Sequence, residues 1–171
     1  MKKNVLLFLF ALSLASVNAQ TNDSVQAPRP SFIFSGDIGG TAVLSLGLEK
    51  LFFLKSRVVL AGKVAFGFNQ KFELFSSEDP TNYFILPHSF TVNLGGGKRS
   101  MLELGIGGSW ITNNSENYYL VYPILGYRLH PFKNPGFSFK AWAMYPFGQS
   151  STMETTNIWI TPLGLSFGIA L

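Results

Sequence analysis

Thr41–Asn69 reads TAVLSLGLEKLFFLKSRVVLAGKVAFGFN, and both of its halves alternate large apolar side chains with small or polar ones. Leu44, Leu46 and Leu48 share one face against Ser45, Gly47 and Glu49. Leu60, Val64, Phe66 and Phe68 share another against Ala61, Lys63, Ala65 and Gly67. The short basic turn Leu54-Lys55-Ser56-Arg57 lies between the halves. Successive strand residues point to opposite faces, so this period of two predicts an antiparallel hairpin. Its faces differ from those of an ordinary surface hairpin. One is Leu, Val and Phe throughout. The other is mostly Ser, Gly and Ala, with Glu49 and Lys63 set among them.

The same alternation runs on both sides of this hairpin. Before it, Ser31–Gly39 places Phe32, Phe34 and Ile38 against Ser35 and Asp37, and Gly39-Gly40 predicts a tight turn. After it, Phe84–Leu94 sets Phe84, Leu86, Phe90, Val92 and Leu94 against Ser89, Thr91 and Asn93. Met101–Ile111 sets Leu102, Leu104, Ile106 and Trp110 against Glu103, Gly105, Gly107 and Ser109. Tyr118–Leu129 is the least regular run, with Leu120, Tyr122 and Ile124 on the Arg128 face. Phe137–Phe147 places Lys140 and Trp142 opposite Phe139 and Ala141, and Ile158–Leu171 places Leu163, Leu165 and Phe167 opposite Gly164, Ser166 and Gly168. About eight strands result, most near the ~10 residues a tilted strand needs to cross a bilayer. Pro87, Pro123, Pro146 and Pro162 lack the N–H a ladder needs, which predicts bulges or strand ends there.

Composition narrows the class. The chain is 47% hydrophobic and 15% aromatic but only 13% charged, where soluble domains carry about 25% charged residues. The exterior is therefore expected to be partly apolar. Lys2 and Lys3, the apolar run Val5–Ala15 and the small-residue end Ser16–Ala19 read as a signal peptide over residues 1–19, with an uncleaved anchor as the alternative. Residues 20–30 read as a flexible polar lead-in and 31–171 as one barrel domain. The chain contains no cysteine, which excludes disulfides and a lipid anchor through Cys. The net charge of +4 includes both signal lysines and makes no case for nucleic-acid binding.

These readings converge on an all-β fold, an eight-stranded antiparallel up-and-down transmembrane barrel whose interior is filled by side chains. Small residues suit the crowded inside, and the Leu/Phe/Val face then points to lipid. The lipid-facing set is Leu44, Leu46, Leu48, Val64, Phe66, Phe68, Leu102, Leu104, Ile106, Leu163, Leu165 and Phe167. The same parity places Asp37, Glu49, Lys63, Glu103, Arg128 and Lys140 inside, where buried charges must pair. A structural salt-bridge network is the expectation, with a gate or proton path as the functional alternative. Connection lengths place the turns near Lys55–Arg57, Gly95–Ser100 and His130–Gly136 in the periplasm. The longer loops Gln70–Tyr83, Thr112–Asn117 and Gly148–Asn157 are then outside. Aromatics near strand ends suit two interfacial girdles: Phe52, Phe53, Phe132 and Phe137 at one end, Phe68, Trp110, Tyr119, Phe147 and Trp159 at the other.

With its signal peptide, alternating strands and final run IWITPLGLSFGIAL, the chain resembles the small eight-stranded outer-membrane β-barrel proteins of Gram-negative bacteria. It departs from their usual aromatic end, finishing in Leu171 with Phe167 four residues earlier. The resemblance implies a monomer in the outer membrane, with membrane lipid and the barrel-assembly machinery as partners and no cofactor. The expected role is structural, or recognition through the surface loops, rather than that of an open porin. Some barrels of this kind modify lipids, so an esterase or deacylase is the alternative. His88 and Ser89 are the only His–Ser neighbours, and adjacent strand residues face opposite ways unless Pro87 forces a bulge. Lipid-A deacylases, by resemblance, carry His and Ser two apart, a spacing absent here; no catalytic residue is assigned. A soluble exported barrel holding an apolar ligand is the second alternative. The two histidines, His88 and His130, are far apart, so no metal site is expected. GGGKRS at Gly95–Ser100 lacks the Lys-Ser/Thr pair and following helix of a phosphate loop. The acidic loop Glu73–Asp79 reads as a solvated tip, with a cation or partner as its alternative.

Overall fold

A computed structural model describes residues 30–55, 57–70, 82–95, 100–113, 117–129, 136–147 and 160–171. Eight strands follow in chain order: β1 (Phe32–Gly39), β2 (Ala42–Lys55), β3 (Val58–Gln70), β4 (Asn82–Gly95), β5 (Ser100–Thr112), β6 (Asn117–Leu129), β7 (Gly136–Met144) and β8 (Leu163–Ala170). Each pairs antiparallel with its sequence neighbours, and β8 returns to β1 to close the barrel. Closure leaves no sheet edge, so the wall satisfies its own backbone groups. The signal peptide and lead-in, residues 71–81 with the acidic tip, and His130 lie outside the described residues.

The register fixes the barrel's shape. Arg128, Lys140, Ser166, Asp37, Ser45, Gly67, Ile85, Ile111 and Tyr118 are successive paired neighbours around the sheet. One circuit thus leaves β6 at Arg128 and re-enters it at Tyr118, ten residues along. Such a stagger tilts the strands by about 40° to the axis and leaves an interior that side chains just fill.

Alternation sorts the side chains as expected. On β8 exposed and buried residues alternate without a break over all eight positions. Leu46 is 57% exposed and Ile106 55%, while Ile85 and Ile111 are fully buried. The interior has three layers. Ile33, Leu51, Val59, Ala61, Met101 and Ala170 form an apolar cluster at the end carrying Pro30 and Leu171, here called the near end. Tyr83, Ile85, Ile111, Tyr118, Leu120, Tyr122, Ile124 and Met144 form a second cluster toward the far end. Charged and hydroxyl side chains lie between.

Local chemistry corrects three expectations. Phe53, expected in the near-end girdle, packs inward against the near-end cluster, because its parity on β2 matches Leu51. β7 ends at Met144 and β8 begins at Leu163, both shorter than the runs Phe137–Phe147 and Ile158–Leu171. Pro146 and Pro162 cannot extend the ladder; the Met144 N–H donates to the Pro162 carbonyl and Phe147 makes only an isolated bridge to Val121. No bulge forms at Pro87 or Pro123. The register shifts lie at the rims instead, between Ile38 and Gly39 and between Phe53 and Lys55, where Val43 and Leu54 are the extra residues.

The first turn is tied to the far rim. Gly39 and Gly40 adopt φ of 91° and 81°, values that favour glycine. The Gly40 N–H donates to Thr161 Oγ1 at 2.6 Å, and the Thr161 N–H donates back to the Gly40 carbonyl at 3.0 Å. A Cβ on Gly40 would fall on the Trp142 ring, which also lies against Gly164. Gly40→Ala therefore combines a strained φ with a clash and should destabilise the barrel by about 2–3 kcal/mol. A urea midpoint unchanged from the parent's in refolded protein would show the turn to be slack.

Candidate functional site: the buried charge belt

The six predicted charges come from six different strands and meet inside the barrel. Inward parity puts Asp37 on β1, Glu49 on β2, Lys63 on β3, Glu103 on β5, Arg128 on β6 and Lys140 on β7, all buried. Arg128 is the centre. Its Nη2 and Nη1 donate to the two carboxylate oxygens of Glu49 at 2.5 and 3.0 Å, a two-pronged fit to the guanidinium fork. Its Nε donates to Glu103 at 3.2 Å. Lys140 donates to the other Glu103 oxygen at 2.7 Å. Lys63 donates to Asp37 at 2.6 Å, and the Ser45 hydroxyl donates to the second Asp37 oxygen at 3.1 Å.

Register alone would pair these groups differently. Glu49 stands opposite Lys63 on neighbouring strands, yet each takes another partner, Glu49 reaching Arg128 and Lys63 reaching Asp37. Arg128 and Lys140 are also directly opposite one another, a repulsive placement for like charges. Glu103, on the other side of Arg128, takes a bond from each and relieves it. Three carboxylates meet three cations, so the belt is neutral and every charge is paired.

Beyond the belt, hydroxyls continue toward the far end. Thr41 Oγ1 and Ser109 Oγ are 2.7 Å apart, and Ser109 Oγ is 3.0 Å from the Tyr122 hydroxyl. A chamber of about 40 Å³ lies here, reached by Asp37, Lys63, Ser89, Tyr122, Lys140 and Trp142. Ser89 faces this interior, whereas the His88 ring lies on the outer wall, so the two do not meet. The register is the same on both sides of Pro87, which leaves their opposite parity intact.

Sequence reading raised His88 as a neighbour of Ser89 in the esterase alternative and as a metal ligand, not as a partner of Tyr119. The His88 Nδ1 lies 3.2 Å from the Leu86 carbonyl, which can only accept, so Nδ1 is the donor. Nε2 then accepts from the Tyr119 hydroxyl at 2.7 Å. The pair lies over Gly108, where a Cβ would meet both rings. Gly108 faces outward, next to the inward Gly107, and stands opposite His88. That extra glycine in GIGGSW was the available signal.

The exposed outer wall contains Leu44, Leu46, Leu48, Val64, Phe66 and Phe68 on the first hairpin, Leu102, Leu104 and Ile106 on β5, and Leu163, Leu165 and Phe167 on β8. Phe68, Trp110, Tyr119 and Phe147 are exposed nearer the far end and Phe137 nearer the near end, while Phe132 and Trp159 lie outside the described residues. Among the described residues no group of three or more His, Cys, Asp or Glu side chains is placed to hold a metal ion. Comparison with protein-family models, curated proteins and solved structures finds no match for the chain.

Removing Arg128 would leave the buried Glu49 carboxylate without a cation, while Glu103 would keep its bond from Lys140. Arg128→Met should cost about 3–5 kcal/mol, while Arg128→Met combined with Glu49→Gln, which leaves the Glu103–Lys140 and Asp37–Lys63 pairs intact, should cost less than the single change. A double variant weaker than Arg128→Met in urea titration would contradict this account of the belt.

Proposed function

We propose that the chain is an exported outer-membrane barrel, standing in the bilayer as a monomer with a plugged interior. Its role is structural, or recognition through the loops at its far end. The carrying observation is its inverted polarity: paired charges lie at the centre, and large apolar side chains are exposed around the whole wall. A contiguous apolar surface far beyond a few hundred Å² is unfavourable in water and favourable in lipid.

The two ends also differ in charge. The near-end connections carry Lys55, Arg57, Lys98, Arg99 and Lys133 and no acid. The far-end connections carry Lys71 with Glu73, Glu78, Asp79, Glu116 and Glu154. Opposite ends facing different aqueous surroundings suit a spanning protein, with the basic end toward anionic lipid headgroups. Apolar clusters close the lumen on both sides of the belt, which argues for a plug rather than an open channel or a proton path. A carrier of apolar ligands needs an apolar lumen, and this one is charged at its centre.

The membrane reading makes arginine costs depend on depth. Leu46, in mid-strand, should tolerate arginine poorly in lipid, at about 2–4 kcal/mol, and Phe137, near a strand end, should lose only about 0–1 kcal/mol. Vesicle flotation, heat-shifted gel mobility and urea titration of the two variants test this. Equal costs, or parent protein recovered in the soluble fraction, would remove the membrane assignment.

A further inference from the structure

β3 and β4 pair at Val64–His88 and again at Gly67–Ile85, but Ala65, Phe66, Leu86 and Pro87 between them form no pair. The register is unchanged across the interval, so the wall has a seam there and no slip. Pro87 has no N–H to offer β3. The facing inward side chains, Ala65 and Gly67, are small, so little fills the interval from inside.

The interior chamber abuts this seam. Ala65, Pro87 and Ser89 line it from the two strands, and His88, whose ring is on the outer wall, reaches it as well. Toward the far end the chamber is lined by Ala42, Tyr122 and Ile124 of the second apolar cluster. Its volume of about 40 Å³ is room for about three waters. The charges beside it are already balanced and paired, so an incoming ion would be left without a counter-charge. An uncharged hydroxyl group meets no such penalty and finds the Ser89 and Tyr122 hydroxyls.

We propose that the Pro87 seam is a side entrance from the outer wall to this chamber, and that the chamber takes the uncharged hydroxyl head of a single-chain amphiphile. A long-chain alcohol and a protonated fatty acid share that head. The head matches the chamber in size, and the chain is left at the seam, against Phe66 and Leu86. A two-chain phospholipid head is too large. This inference rests on the membrane reading above.

The chain has no cysteine, so single-cysteine variants report unambiguously. Full-length mature protein is folded into phosphatidylcholine vesicles and treated with methyl methanethiosulfonate, a small uncharged thiol reagent, with modification followed by mass. Ser89→Cys should react about tenfold faster than Thr91→Cys, the next inward position on β4, because reaction follows local access. Adding Pro87→Val, which restores an N–H, should slow Ser89→Cys about tenfold. Hexadecanol in the bilayer should protect it, and hexadecanoic acid should protect more strongly as the pH is lowered. Ala65→Cys, on the facing strand, repeats the measurement if Ser89→Cys does not fold. Equal rates at the two β4 positions, or no effect of Pro87→Val, would overturn the side entrance. Reaction without protection by either amphiphile would overturn the ligand. Flotation and heat-shifted mobility of the same samples separate the two readings: protein that floats but does not react defeats the entrance alone, and protein that does not float defeats the membrane reading too.

Discussion

Arg128 is fully enclosed, and the rest of the interior is arranged so that a guanidinium can remain there. A charge removed from water is tolerated only with close, well-oriented counter-charges. Glu49 supplies a two-pronged partner from the far side of the barrel and Glu103 a third contact from the next strand. Lys140 then becomes necessary to balance Glu103, and Asp37 to balance Lys63. Six strands are thereby joined through their side chains as well as through the ladder. Because each carboxylate and cation is needed by its neighbour, the belt tolerates wholesale neutral replacement better than the loss of one member.

Narrowness makes this possible. With eight strands staggered by ten residues, side chains from opposite walls touch, and the small residues Gly47, Ala65 and Gly67 give Lys63 and the other long side chains their space. A Cβ on Gly47 would meet the Lys63 side chain, and one on Gly67 would meet Ser45. The glycines on the inner face are therefore packing residues, as Leu and Phe are on the outer face. Apolar clusters flank the belt on both sides, and such surroundings strengthen its electrostatics.

The wall is less uniform than the interior. Prolines act differently according to which neighbour they face. Pro146 and Pro162 end β7 and β8, and Pro123 lies where β6 has run past the end of β7. Pro87 alone faces a continuing strand on both sides, so its missing N–H opens a seam. The outward His88–Tyr119 pair lies on the other side of β4, over β5, where Gly108 makes room for it.

Much of the fold was legible in the chain itself. Alternation depends only on strand geometry, so it sorted Leu46 from Gly47 and placed all six charges inside before any contact was known. Signal-like residues 1–19 and the scarcity of charge set the expected environment by the same local chemistry. Partner choice was not legible, because Glu49 and Lys63 are neighbours in register while their carboxylate and ammonium reach other strands. That choice depends on the stagger of the closed barrel, which brings β2 across to β6 and β3 to β1. The Pro87 seam, the outward His88 pair and the Phe53 contact also waited for the fold. Sequence determined which side of the wall each residue takes, because parity is local; tertiary structure decided which residues meet, because closure and tilt are properties of all eight strands together.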